Sequence, residues 1–214
     1  MARLTLAKGG MTSKLAAVPA AVPAAVPFTG NDIDVGCRIH EALARHATAG
    51  QGAPITYPDL LTLARSLHPR DAVLGRAVAV GIGAKLAFVD AFCAAKGYPR
   101  LGCLAVHPAS MLPAHDDAGD WDAQRRAVAA FDWSVAEASL AAFAAQARAS
   151  VPARLKPRKE RPADVAWYAY FCSHREACAW IQHEDKQEII NLIMAGLDPD
   201  TARQRVQAAK AQFG

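Results

Sequence analysis

Residues 84–106 read AKLAFVDAFCAAKGYPRLGCLAV, and three signals in that stretch set the fold class. Leu86, Val89, Phe92 and Cys93 recur at three- and four-residue intervals, which places them on one stripe of a helix. Gly97 is positioned to end that helix, and Tyr98-Pro99 to turn the chain. Leu101–Val106 is then the best strand candidate, with Leu104 and Val106 on one side. An amphipathic helix running into one short strand predicts helices packed on helices with little sheet.

The flanking segments carry the same period. Upstream, Asn31 or Asp32 can cap a helix running to about Ala47, with Ile39 and Leu43 inward and Gly50-Gln51-Gly52 at its end. Pro54-Ile55-Thr56-Tyr57 leads into a second helix, with Thr56 or Tyr57 as cap and Pro58 in the first turn. Leu60, Leu63 and Leu67 share a face of it, and His68-Pro69 stops it. Asp71 can cap a further segment, loosened by Gly81 and Gly83. Downstream, His107–Gly119 reads as a loop and Asp120 to about Phe131 as a helix. Ser134-Val135-Ala136-Glu137 has the spacing of a capping box that opens a helix reaching Ala149. Pro162 starts a long aromatic helix, Gly196 interrupts the tail, and Asp198-Pro199 restarts it. The expected class is mainly α with a small β element.

Composition divides the chain further. Ala-Ala-Val-Pro recurs at 16–19, 20–23 and 24–27, and proline at that interval forbids a regular helix. Residues 1–30 are therefore expected to be a flexible spacer, and Lys8-Gly9-Gly10 before Met11 suggests translation from Met11. Arg3, Lys8 and Lys14 ahead of Leu15–Phe28 imitate a signal peptide, but Pro19, Pro23 and Pro27 interrupt its apolar run. Residues 31–149 form the expected helical domain, 150–161 a basic linker and 162–214 a helical C-terminal region. No run reaches the roughly 20 apolar residues of a membrane span, so no membrane insertion is expected. The five cysteines are odd in number and lack any Cys-x-x-Cys spacing, which argues against a disulfide framework and for the cytoplasm.

Charge is the feature with functional content. Net charge is +4. Arg148, Arg154, Lys156, Arg158, Lys159 and Arg161 stand against Glu160 alone, a local balance of +5, so the rest of the chain is slightly acidic. Such a strap suits phosphates, which cations neutralise without reading bases. Trp167, Tyr168, Tyr170 and Phe171 follow it and offer stacking surfaces. Trp167, Tyr170 and Phe171 also fit one helical face, which favours core packing for those three. A solvated linker is the competing reading of the strap.

Catalytic signals are weaker. Cys172, His174, Cys178 and His183 include a four-residue pair, His174 and Cys178, that one helix face could present to zinc. The full spacing matches no structural zinc pattern. His115, Asp116, Asp117, Asp120 and Asp122 could hold magnesium for phosphoester chemistry, although acids before a helix also favour its dipole. Gly81-Ile82-Gly83-Ala84-Lys85 lacks the phosphate-loop spacing and reads as a helix joint. Cys103 and His107 are near in sequence, and no serine lies in a nucleophile elbow. No catalytic residue, metal site or cofactor is expected.

Residues 54–108 resemble a small module of uncharacterised bacterial, plasmid and phage proteins. The resemblance rests on Ile55-Thr56-Tyr57, Phe92-Cys93, Gly97-Tyr98-Pro99-Arg100-Leu101 and Leu104-Ala105-Val106. Phe131-Asp132-Trp133 is similar to an element found downstream of it. Where the module's strand runs on into Asn, this chain has His107. The resemblance implies a winged-helix-type arrangement and a mobile-element setting, and it carries no catalytic residue.

Three functions are left in order. The first is a non-enzymatic accessory protein binding nucleic acid through the strap. The second is a protein-binding inhibitor, for example of conjugative transfer or of host defence. The third is a metal-dependent nuclease using His115–Asp122.

Overall fold

Thr29 begins the first helix: its hydroxyl oxygen accepts the Asp32 N–H at 3.2 Å, while the Asp32 carboxylate accepts the Thr29 N–H at 3.0 Å. This reciprocal capping satisfies two otherwise orphaned donors and starts α1 (Gly30–Ala49) upstream of Asn31. The computed structural model describes residues 28–113 and 120–213. The spacer reading of residues 1–30, apart from its last three, and the Met11 start lie outside them.

α1 runs through the middle of the first core and buries Val35, Ile39, Ala42, Leu43 and Ala47. α2 (Tyr57–Leu67), capped by Thr56 with Pro58 in its first turn, adds Leu60 and Leu61. The one-turn α3 (Ala72–Gly75) takes its cap from Asp71, whose carboxylate accepts the Val73 and Leu74 N–H groups. α4 (Ile82–Lys96) lays Leu86, Val89, Phe92 and Cys93 against α1 and ends at Gly97. Full burial of side chains this large stabilises by about 1.5–3 kcal/mol each, so the stripe in residues 84–106 holds the fold together.

The strand expected over Leu101–Val106 is mostly a 3₁₀ turn, Leu101–Leu104. Asp90 explains this. Its carboxylate accepts the Gly102 N–H at 3.1 Å and the Arg100 Nε–H at 2.9 Å, drawing the chain into a turn on α4. A Cβ at Gly102 would lie 2.4 Å from that carboxylate, so only glycine permits the approach. Among the described residues the strands are β1 (Ile55–Thr56) and β2 (Ala105–Val106), paired in parallel with Ile55 opposite Ala105, and Val106 adds an isolated antiparallel bridge to Pro113. α2 to α4 lie between the two strands in sequence, so the pair closes a crossover and is not a hairpin.

α5 (Trp121–Ala130) is capped by Asp120 as its sequence predicts. The capping box read at Ser134 is not formed. Asp132 instead accepts the Ser134 N–H at 3.0 Å and sets a 3₁₀ turn, Trp133–Val135, ahead of α6 (Ala136–Ala149). Buried Trp133 anchors that turn by donating to the Val128 carbonyl at 2.9 Å.

The remaining helices are α7 (Glu160–Ser173), α8 (His183–Met194) and α9 (Pro199–Phe213). They enclose a second core built on Trp167, Ile189, Ile193, Leu197, Ala202 and Val206. It is joined to the first by charge as well as by contact. Lys85 of α4 sits between Asp32 of α1 and Glu188 of α8, and Arg205 of α9 reaches Asp32 at 2.7 Å. The architecture is mainly α with a tiny sheet. Among the described residues, no single helix is long and apolar enough to cross a membrane.

Candidate nucleic-acid interface

The strap between α6 and α7 has its backbone fixed and its cations free. Leu155 packs into the second core, and the Arg158 N–H donates to the Met194 carbonyl at 2.8 Å. Gly196, at φ 104°, lies so close that a Cβ there would stand 2.7 Å from the Leu155 carbonyl carbon and from the Lys156 nitrogen. Arg154, Lys156, Arg158, Lys159 and Arg161 all face solvent. Among the described residues, none of the five pairs with a carboxylate. Like charges held on a pinned backbone repel one another, and a polyanion relieves that repulsion.

Arg148 is different. It sits in the last turn of α6 and reaches Asp34 of α1 at 2.7 Å, which neutralises it and sets it apart from the other five.

α7 continues the strap and has two faces. Inward, Trp167 is buried, and the Tyr170 hydroxyl donates to Asp200 at 2.6 Å while accepting from Arg203 at 3.2 Å. Burial pushes the Tyr170 phenol above its usual range, and the Asp200 hydrogen bond adds to the shift, with Arg203 opposing. Outward, Val165, Tyr168 and Phe171 are exposed, Tyr168 at 69%. Phe171 therefore departs in part from the shared core face read in the sequence: it is 36% exposed and its ring is tilted against Trp167, with centroids 6.1 Å apart. Where the outer face of α7 meets the start of α8 there is a groove of about 610 Å³, which Tyr168, Phe171, Ile181, Gln182 and Lys186 help to line. Its signal in the sequence was the spacing Arg161, Val165, Tyr168, Cys172, one helical stripe that is apolar yet begins with a cation.

The other candidate sites resolve differently. His174 and Cys178 do not share a helix, because α7 ends at Ser173. His174 turns back to stack on Tyr170 at 4.1 Å, while Cys178 is buried. Among the described residues, no group of three or more His, Cys, Asp or Glu is arranged to hold a metal ion. Asp120 is occupied as a helix cap; His115, Asp116 and Asp117 lie outside the described residues. Cys103 is fully buried, and desolvation, reinforced by Asp90, pushes its thiol up to about 11.

Lys85, at the end of the glycine-bearing joint, faces inward to carboxylates. Burial alone would raise the Asp32 carboxyl. Lys85 and then Arg205 outweigh it, Thr29 adds two hydrogen bonds, and Asp32 sits below the ordinary carboxylate value.

A second cavity of about 1130 Å³ opens between α1 and α6. Its rim is polar but internally paired, Arg38 with Asp71 at 3.1 Å and Arg45 with Glu41 at 3.6 Å. His40 and Trp133 also line it, their rings edge to face at 5.8 Å. Asp34, Arg38, Glu41, Arg45 and Thr48 mark it in the sequence as a polar stripe on α1. Compared with models of known families, with curated proteins and with solved structures, the chain finds no match.

Proposed function

We propose that this chain is a non-enzymatic accessory protein that binds nucleic acid through the strap between α6 and α7. The carrying observation is five exposed cations, Arg154, Lys156, Arg158, Lys159 and Arg161, displayed without acidic partners among the described residues on a backbone fixed to α8. Cations so held meet a phosphate backbone at little further ordering cost, since the chain that bears them is already in place. Arg148 takes no part, because Asp34 holds it.

Fluorescence anisotropy with labelled single- and double-stranded DNA tests the reading between about 50 and 200 mM salt. Four to five phosphate contacts on a duplex predict a loss of about two to three orders of magnitude in affinity over that range. The fourfold Ala variant at Arg154, Lys156, Arg158 and Lys159 is expected to lose binding. Wild-type protein that binds neither DNA at the lowest salt sinks the proposal.

One observation favours a second reading, a protein-binding inhibitor. Val165 is 62% exposed beside Tyr168, and an aliphatic side chain suits a protein surface better than it suits a base. On that reading Val165→Asp abolishes capture of a target protein, whereas the strap substitutions leave it intact.

A further inference from the structure

We infer that the groove between α7 and the start of α8 seats an unpaired base, so that the strap serves single-stranded nucleic acid in preference to duplex. This rests on the phosphate-binding role proposed for the strap and names the substrate class of the same surface.

Position comes first. α7 begins at Glu160, inside the strap, so the backbone that carries the cations leads directly into the helix that carries the aromatics. Arg161, Val165, Tyr168 and Cys172 follow one another at helical spacing along its outer face. A strand whose phosphates lie along the strap would be led toward Tyr168.

Chemistry comes second. The Tyr168 ring is 69% exposed and Phe171 stands beside it, while the inward aromatics Trp167 and Tyr170 already supply what the fold requires of α7. The Tyr168 ring is thus surplus to the core and presents an open π face, with Phe171, tilted against Trp167, partly exposed beside it. Such faces hold bases of any sequence. Across the groove, Gln182 and Lys186 are exposed, bringing an amide for a base edge and a cation for a phosphate. Asp164 also lines the groove, which keeps phosphates to the strap and Lys186 sides and leaves the floor to an uncharged ring. Stacked, paired bases of a duplex cannot enter; it can reach only the cations.

The experiment compares three probes in about 50 mM salt, a labelled oligothymidylate of about 12 nucleotides, an abasic strand with the same phosphates and a duplex of that length, on the full chain and on its Tyr168→Ala and Tyr168→Phe variants. The oligothymidylate should bind about ten-fold or more tightly than the abasic strand. Tyr168→Ala should erase that difference without changing abasic affinity, and Tyr168→Phe, which keeps the ring, should restore it. Equal binding of both strands, unaltered by Tyr168→Ala, overturns the base-seating groove and leaves the strap standing. A duplex bound more tightly than the single strand overturns it as well. No binding of any probe overturns both readings.

Discussion

Lys85 Nζ lies 2.5 Å from Glu188 Oε1, with the two side chains only 2% and 4% exposed, so one ion pair ties α4 to α8 across 103 residues of chain. Asp32 Oδ1 stands 3.5 Å from the same ammonium, and Asn191 donates to Glu188 Oε2 at 3.2 Å. With Arg205 on Asp32, two cations face two carboxylates, and the cluster is neutral, with Lys85, Asp32 and Glu188 buried and Arg205 partly exposed.

Removing one partner of such a pair leaves a buried charge uncompensated. Glu188→Gln and Lys85→Met are each expected to lower stability by about 3–5 kcal/mol. The double variant Lys85→Met/Glu188→Leu should recover part of that loss, since an apolar pair avoids the desolvation penalty although it leaves Arg205 alone to balance Asp32. Urea unfolding of the three proteins measures this. Single variants as stable as wild type would mean that this ion pair does not hold the two cores together, leaving apolar contact and the Arg205–Asp32 and Asn191–Arg76 links to do so.

A second expectation concerns how the strap is held. Gly196→Ala places a Cβ against Leu155 and Lys156 and forces an L-residue to φ 104°. About 1–3 kcal/mol of strain is expected, relieved by displacement of the strap. Trypsin cuts after Arg154, Arg158 and Lys159, the Lys156–Pro157 bond being resistant, and reports on that displacement. Cleavage should be slow in wild type and several-fold faster in the variant, with unchanged rates meaning that the strap is mobile without the substitution.

The apolar period made most helices legible, because burial drives both the pattern and the packing. Leu86, Val89, Phe92 and Cys93 are examples. Two misreadings of local structure share a cause, namely carboxylates whose partners are distant or unexpected. Asp90 converts the expected strand at Leu101 into a turn, and Asp132 supplants Ser134 as a cap. The buried role of Lys85 could not be read locally, since Glu188 lies 103 positions away and Asp32 looked like a simple cap. For the candidate interface, the cations of the strap were legible as composition. Their fixation was not, because the Arg158 to Met194 bond and the approach of Gly196 exist only in three dimensions.

Thiol accessibility gives a third check. Cys172 is exposed, Cys37 is partly covered, and Cys93, Cys103 and Cys178 are buried. Desolvation raises the buried thiols, Cys93 and Cys103 up to about 11. One thiol of the five should therefore react rapidly with a thiol reagent in the native protein, with Cys37 following slowly and the rest only on unfolding. Peptide mapping of the fast adduct to any residue but Cys172 would contradict the placement of α7.

His40 predicts how stability responds to acid. Its ring packs edge-on against Phe92 at 5.2 Å and Trp133, Nε2 has no hydrogen-bond partner, and burial pushes the imidazole down to about 4 against a weaker opposing effect of Glu41. Between about pH 6.5 and 4 the unfolded chain binds a proton that the folded chain refuses, so stability falls as pH falls through that window, by up to about 3 kcal/mol. Asp32, with its carboxyl held below the ordinary 3.8, adds its own loss only at lower pH, so the two effects separate. His40→Leu removes the titrating group together with an unsatisfied buried nitrogen. It should leave stability at pH 7 equal or raised and reduce the decline between pH 6.5 and 4.5, as measured by urea midpoints at four or five pH values. An undiminished decline would place the acid sensitivity in another group and the His40 imidazole in contact with water.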